Sequence, residues 1–206
     1  MSSRRQTHWT GVYEQKAPSA VSWYQPEPEP SLRALDRLGA RPSNSFIDVG
    51  GGASNLVDVL VSRGWRDITV LDIAAPALEA ARARLGSDAE KVHWEVADIT
   101  EWKPARPYDV WHDRAVFHFL TEASQRASYR RALSRGLMSG GLLVIATFAL
   151  DGPEKCSGLP VQRYDSASLT SEFGEAFQLI ESWREEHLTP WGTSQSFNWC
   201  AFRRSA

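Results

Sequence analysis

Two cysteines, Cys156 and Cys200, are all that 206 residues contain, and they stand far apart. That scarcity excludes a disulfide-stapled scaffold and a cysteine-rich zinc site, and it suits a reducing compartment. Charge of one sign is missing too. With a formal net charge of −2, no basic field points to nucleic acid. Arg4-Arg5 and Arg203-Arg204 read as solvated tails. Long apolar runs are also absent: Leu142 to Ala146 falls far short of a bilayer span. No apolar stretch follows Met1-Ser2-Ser3-Arg4-Arg5-Gln6, so a secretory signal is not expected. The expectation is a cytoplasmic protein with no membrane partner, no nucleic-acid partner and no metal.

Tryptophan, by contrast, is plentiful at nine residues. Trp9 and the pair Trp23-Tyr24 lie ahead of the regular part of the chain, where aromatic rings can cover a bound ligand. Gln25-Pro26-Glu27-Pro28-Glu29-Pro30 then reads as an extended linker. The chain is accordingly divided into an aromatic cover and linker, 1–30, and a main domain, 31–206. Ser31 is placed to cap a helix carrying Leu32, Leu35 and Leu38 and closed by Gly39.

From residue 45 strand and helix patterns alternate. Strands are expected at 45–50, 68–73, 92–98 and 108–113, and a nearly all-apolar central one at 142–148, entered through Gly140-Gly141. A Gly- and Pro-rich loop from Asp151 to Arg163 precedes a short helix near 166–173. Two longer runs, 177–188 and 194–203, read as a terminal antiparallel hairpin.

The organising stretch is Ser45-Phe46-Ile47-Asp48-Val49-Gly50-Gly51-Gly52-Ala53-Ser54-Asn55-Leu56. A β-branched run ends in an acid, glycines let a ligand approach bare backbone, and Ser54 or Asn55 can cap the next helix. The later strands also end in acids, Asp72, Asp98 and Asp113. Ligands of open α/β sheets bind outside those strand ends. Four carboxylates converging there repel one another unless a cation or donors match them. S-adenosylmethionine offers a ribose diol, an amine and a positive sulfur. Asp72 is placed for the ribose hydroxyls, Ile73 and Ile99 for the adenine faces, Asp98 for its amino group, and Asp48 for the amino end. Gly50, Gly51 and Gly52 would admit the methionine part. A dinucleotide is the rival, but Asn55 stands where its third glycine should be and Asp48 would face a pyrophosphate.

These motifs resemble those of class I S-adenosylmethionine-dependent methyltransferases over about 45–204, through Asp48-Val-Gly-Gly-Gly-Ala-Ser54, Leu71-Asp72-Ile73, Ala97-Asp98-Ile99 and Tyr108-Asp-Val-Trp-His-Asp113. The resemblance implies a three-layer, Rossmann-like α/β fold. Its seven-stranded sheet would have helices on both faces and its last strand inserted antiparallel. Trp111-His-Asp-Arg-Ala115 and the 148–161 segment are also similar to thiopurine S-methyltransferases. The glycine turn, the Trp-Tyr entry and Asp113-Arg114 resemble lysine methyltransferases of elongation factors. The expected activity is methyl transfer to a small-molecule acceptor, first a thiol or other chalcogen nucleophile. Protein-lysine methylation, with a protein substrate, is the runner-up, and a non-catalytic cofactor-binding module is a third reading. His112 is the candidate base. Asp113 would orient the acceptor or the cofactor amine, and Arg163 would hold an anionic acceptor.

Overall fold

The computed structural model describes residues 4–206; the start of the segment read as lacking a secretory signal, residues 1–3, lies outside the described residues. Helix α1 (Arg4–Gln15) leads through a 3-10 turn (Pro18–Ala20) into α2 (Glu29–Arg37). Then β1 (Phe46–Val49), α3 (Leu56–Ser62), β2 (Ile68–Asp72), α4 (Ala75–Leu85), β3 (Val92–Val96) and β4 (Tyr108–Arg114) follow. The chain continues with α5 (Ala123–Gly136), β5 (Leu137–Phe148), a two-residue hairpin of β6 (Lys155–Cys156) and β7 (Leu159–Pro160), α6 (Ser166–Phe173), β8 (Phe177–Leu188) and β9 (Ser194–Arg204).

The seven-stranded sheet runs β3-β2-β1-β4-β5-β9-β8. Strands β1 to β5 pair in parallel, and β9 enters antiparallel between β5 and β8. This is the Rossmann-like architecture expected. Side-chain alternation along the strands separates two apolar layers. Phe46, Ile68, Val70, Val110 and Val144 pack against Leu35, Leu56, Leu60 and Leu78 of α2, α3 and α4. Ile47, Val49, Leu71, Trp111 and Ile145 pack against Tyr129, Leu133, Leu169 and Phe173 of α5 and α6. Each fully buried side chain of this size contributes about 1.5–3 kcal/mol.

Several boundaries depart from the sequence reading, each for a local reason. β4 runs one residue past Asp113, so the last side chain of the strand is Arg114. β5 starts at Leu137 and absorbs Gly140-Gly141. Its register with β4 jumps from Tyr108↔Leu137 to Val110↔Leu142, with Gly140 at φ 77°. α2 starts at Glu29, so Ser31 lies inside the helix and is buried rather than capping it. The terminal arginines are not free tails. Arg203 donates to the Gly140 carbonyl at 3.0 Å, Arg204 to that of Leu137, and Arg5 joins the site described next. Among the described residues, no helix is long and apolar enough to cross a membrane.

Candidate active site

The first three parallel strands deliver their ends to one edge of the sheet, and the glycine turn opens there. Gly50 has φ +72°, and a Cβ on it would meet Val116 Cγ2 at 2.0 Å. Gly52 has φ +34°, and a Cβ there would come within 2.5 Å of Asp72 Oδ2. Only glycine fits either position, which keeps the backbone bare beside the carboxylate. The Ser54 hydroxyl accepts from the Leu56 amide at 3.1 Å at the start of α3. Asn55 does something else: its Nδ2 donates to the carbonyls of Gln25 and Pro26, both at 3.0 Å, tying the linker to the turn.

Two adjoining cavities follow. The first brings together Gly50, Asp72, Ile73, Asp98 and Ile99 beneath Trp9, Tyr13, Trp23 and Phe119. The second lies over Asp48, Gly50 and Gly51, with Trp23 and Tyr24 above. Asp72 Oδ1 accepts from the Ala74 amide at 2.8 Å. Burial raises its carboxyl to about 7, and the nearby Asp48 adds to the rise against the lowering effect of the Ala74 and Ile73 amides. Asp98 is better satisfied. Thr100 reaches Oδ1 through its amide at 2.9 Å and its hydroxyl at 2.7 Å, and Arg5 donates to Oδ2 at 2.9 Å.

Of the three residues read as catalytic, His112 reaches a cavity and Asp113 and Arg163 do not. His112 borders the second cavity, yet Nδ1 lies 2.7 Å from Asp48 Oδ1 and Nε2 lies 3.0 Å from Ser31 Oγ. With both ring nitrogens engaged, the imidazole has none free to take a proton from an acceptor, and Asp48 spends one oxygen inside the protein. Asp113 is fully buried on the α5 face and lines neither cavity. Its Oδ1 accepts from the amides of Val116 at 2.9 Å and Phe117 at 3.3 Å, and its Oδ2 from the Tyr129 hydroxyl at 2.7 Å. Arg163 donates to the Gly152 carbonyl at 3.2 Å and to Glu154 at 3.3 Å, and lines neither cavity. The physical cause is the pleat. Alternation along β4 turns Trp111 and Asp113 to the α5 face and leaves His112 and Arg114 on the other.

Sequence reasoning named Arg114 beside Asp113 and His112 where the acceptor should arrive, but missed Arg5, Tyr13 and Phe119. Arg114 borders both cavities. The chain turns immediately after it through Ala115 at φ 70°, a left-handed conformation that costs a non-glycine residue about 1–3 kcal/mol. Arg5, Trp9 and Tyr13 share one face of α1, an irregular mix of polar and aromatic residues with no buried side chain that apolar periodicity could flag. Cys156 also reaches the first cavity, but burial pushes its thiol up to about 11, so it stays protonated at neutral pH.

This edge fits S-adenosylmethionine. A glycine cradle lies beside Asp72, apolar Ile73 and Ile99 lie beside Asp98, and an aromatic roof closes above. A family model described as "Methyltransferase domain" matches residues 46–141. A trans-aconitate 2-methyltransferase of Rhizobium rhizogenes is 35% identical over 132 residues, covering 62% of this chain and 48% of that protein. The chain thus spans about half the length of the curated relatives it matches. Among solved structures, the 1,6-didemethyltoxoflavin-N1-methyltransferase of Burkholderia thailandensis, with its substrate and S-adenosylhomocysteine, has a TM-score of 0.74. That match has 17% identity and covers 98% of this chain and 88% of that one. The N-methyltransferase NodS of Bradyrhizobium japonicum with S-adenosylhomocysteine has a TM-score of 0.69 at 17% identity, covering 96% and 98% of the two chains. At these identities the structures speak to the fold.

Proposed function

We propose that the chain is a class I S-adenosylmethionine-dependent methyltransferase that moves a methyl group to a small anionic acceptor. The acceptor is a thiolate or other chalcogen nucleophile, or a carboxylate such as the acid for which the relatives are named. The observation that carries this reading is the half-open cavity that Asp72 and Asp98 line together with Trp9, Tyr13, Trp23 and Phe119. The cofactor, when bound, supplies a methyl group on a positively charged sulfur.

This chain's residues then hold and shield. Asp72 accepts the ribose hydroxyls through the oxygen beside Gly52, Asp98 accepts the adenine amino group, and Ile73 and Ile99 line the adenine faces. Trp9, Tyr13, Trp23 and Phe119 exclude water, which strengthens attraction between an anionic nucleophile and a cation. Residues 1–30 act as the cover. An acceptor that arrives as an anion needs no strong base, which agrees with a site whose histidine is already engaged. Catalysis here is alignment more than proton transfer. Protein-lysine methylation draws no support from the comparisons, and the aromatic walls favour a small molecule over an extended peptide.

The test is isothermal calorimetry with S-adenosylhomocysteine, followed by a labelled-methyl screen over thiols, chalcogen oxyanions and small carboxylic acids including trans-aconitate. We expect binding of S-adenosylhomocysteine and transfer to at least one anionic class. Absence of binding would overturn the reading.

A further inference from the structure

Arg114 is a cation of this site that forms no ion pair among the described residues, although the charges of Glu185 and Asp48 act on it from a distance. Its Nη1 donates to the Trp23 carbonyl at 2.9 Å, and its guanidinium lies 5.0 Å from the centre of the Phe197 ring. Those contacts fix the plane of the group. Nε and Nη2 are both closed off from solvent and neither has a hydrogen-bond partner. These two nitrogens share one edge of the planar guanidinium, the fork that receives both oxygens of a carboxylate.

The carboxylates nearest in charge are committed elsewhere. Glu185 takes Gln25 Nε2 at 3.0 Å and Trp199 Nε1 at 2.5 Å, and Asp48 takes His112. Buried donors, charged ones above all, are rarely left unmatched. The unmatched edge belongs to a side chain on the wall common to both cavities.

We propose that Arg114 is the carboxylate-binding residue of the active site, gripping a ligand carboxylate side-on through Nε and Nη2. The proposal rests on the reading of this edge as the cofactor and acceptor site. Two ligands can bring the carboxylate: the acceptor, or the amino-acid end of the cofactor. Either excludes arginine from a purely structural role, and the two are separable.

The experiment compares wild type, Arg114→Gln and Arg114→Lys by calorimetry, with thermal melts to establish that each variant is folded. The cofactor arm measures S-adenosylmethionine against its decarboxylated analogue. The acceptor arm measures trans-aconitate, and benzoate against benzamide, with S-adenosylhomocysteine present. If the cofactor brings the carboxylate, wild type prefers S-adenosylmethionine over the analogue by about 10- to 100-fold and Arg114→Gln abolishes that preference. If the acceptor brings it, the cofactor preference is untouched by the variant. Wild type then binds the acids over the amide, and Arg114→Gln loses a similar factor while Arg114→Lys recovers part of it.

Wild-type protein that discriminates neither pair overturns the proposal without reference to any variant. So does discrimination in wild type that survives in a folded Arg114→Gln. Protein that fails to bind S-adenosylhomocysteine at all, yet binds the acids through Arg114, would retire the methyltransferase reading and leave the carboxylate fork standing.

Discussion

Asp72 closes β2 and Asp113 stands one residue before the end of β4, on the far side of β1; both are deeply buried and both hold their protons well above the usual carboxylate range, at about 7 and about 6. They differ in what they face. Asp113 spends both oxygens on three donors of its own chain, two amides and the Tyr129 hydroxyl. Asp72 takes the Ala74 amide on one oxygen and presents the other beside Gly52. Strand-end acid is therefore not one role but two. Internal donors make a carboxylate part of the frame, and their shortage on a cavity wall leaves it for a ligand.

The frame member should fail most dramatically when removed. Asp113→Ala would strand the Tyr129 hydroxyl and two amides in the core, for a destabilisation on the order of 3–5 kcal/mol by urea denaturation. Stability within 1 kcal/mol of wild type, on the order of an ordinary surface change, would erase the distinction. Asp72→Asn should do the opposite. It weakens S-adenosylhomocysteine binding by about 10- to 100-fold in calorimetry, through loss of a charged acceptor. It also raises the melting temperature of the free protein at pH 8, because the amide needs no deprotonated form in a buried place. A variant that loses both stability and affinity would show Asp72 to be frame as well.

How far this was visible in the sequence follows from the same pair. The parallel strands, the terminal hairpin and the short helix at 166–173 came from apolar periodicity, because those elements bury a regular face, whereas the insertion of the last strand came from the resemblance. The glycine turn, and the placing of Asp72 and Ile73 beside a cavity, were legible because bare backbone beside an acid has few other uses. The reading of Asp113 and His112 as chemical groups did not foresee their internal partners, the Tyr129 hydroxyl and two amides for one and Asp48 and Ser31 for the other. Alternation reverses faces at each step, and nothing in Trp111-His112-Asp113-Arg114 shows where β4 stops. Arg163, in a loop, was read from residue type alone, and the loop folds it back on Gly152 and Glu154. Arg5 was invisible for a different reason: its partner Asp98 is 93 residues away.

The acids also set a pH dependence that sharpens the comparison. Both bind protons more tightly folded than unfolded, where a carboxyl titrates near pH 4. Between about pH 4 and the folded values the native state holds the extra protons, so stability is lost as pH rises through that window. The decline should run to about pH 6 where Asp113 contributes and on to about pH 7 where Asp72 does, at up to about 1.4 kcal/mol per pH unit for each group. Denaturation curves for Asp72→Asn should lose the upper part of that decline and keep about half the slope of the lower part, where only Asp113 still contributes. An unaltered profile would mean that Asp72 is not the group titrating near neutrality.

The smallest effect belongs to Arg5, which reaches from α1 to Asp98 at 2.9 Å and to the Thr100 hydroxyl at 2.7 Å. Its side chain is 27% exposed, so solvent screens the pair and Arg5→Ala should cost the fold no more than about 1 kcal/mol. The pair nonetheless bridges α1 to Asp98, the carboxylate proposed to meet the adenine. Its loss should act on how long the cover stays shut, which is a rate before it is an affinity. We expect S-adenosylhomocysteine to leave Arg5→Ala about threefold faster in stopped flow, consistent with losing an exposed-pair energy of a few tenths to 1 kcal/mol. The melting temperature should barely move. If release is unchanged while the melting temperature falls, Arg5 belongs with Asp113 to the frame, and α1 does not govern access to the carboxylates beneath it.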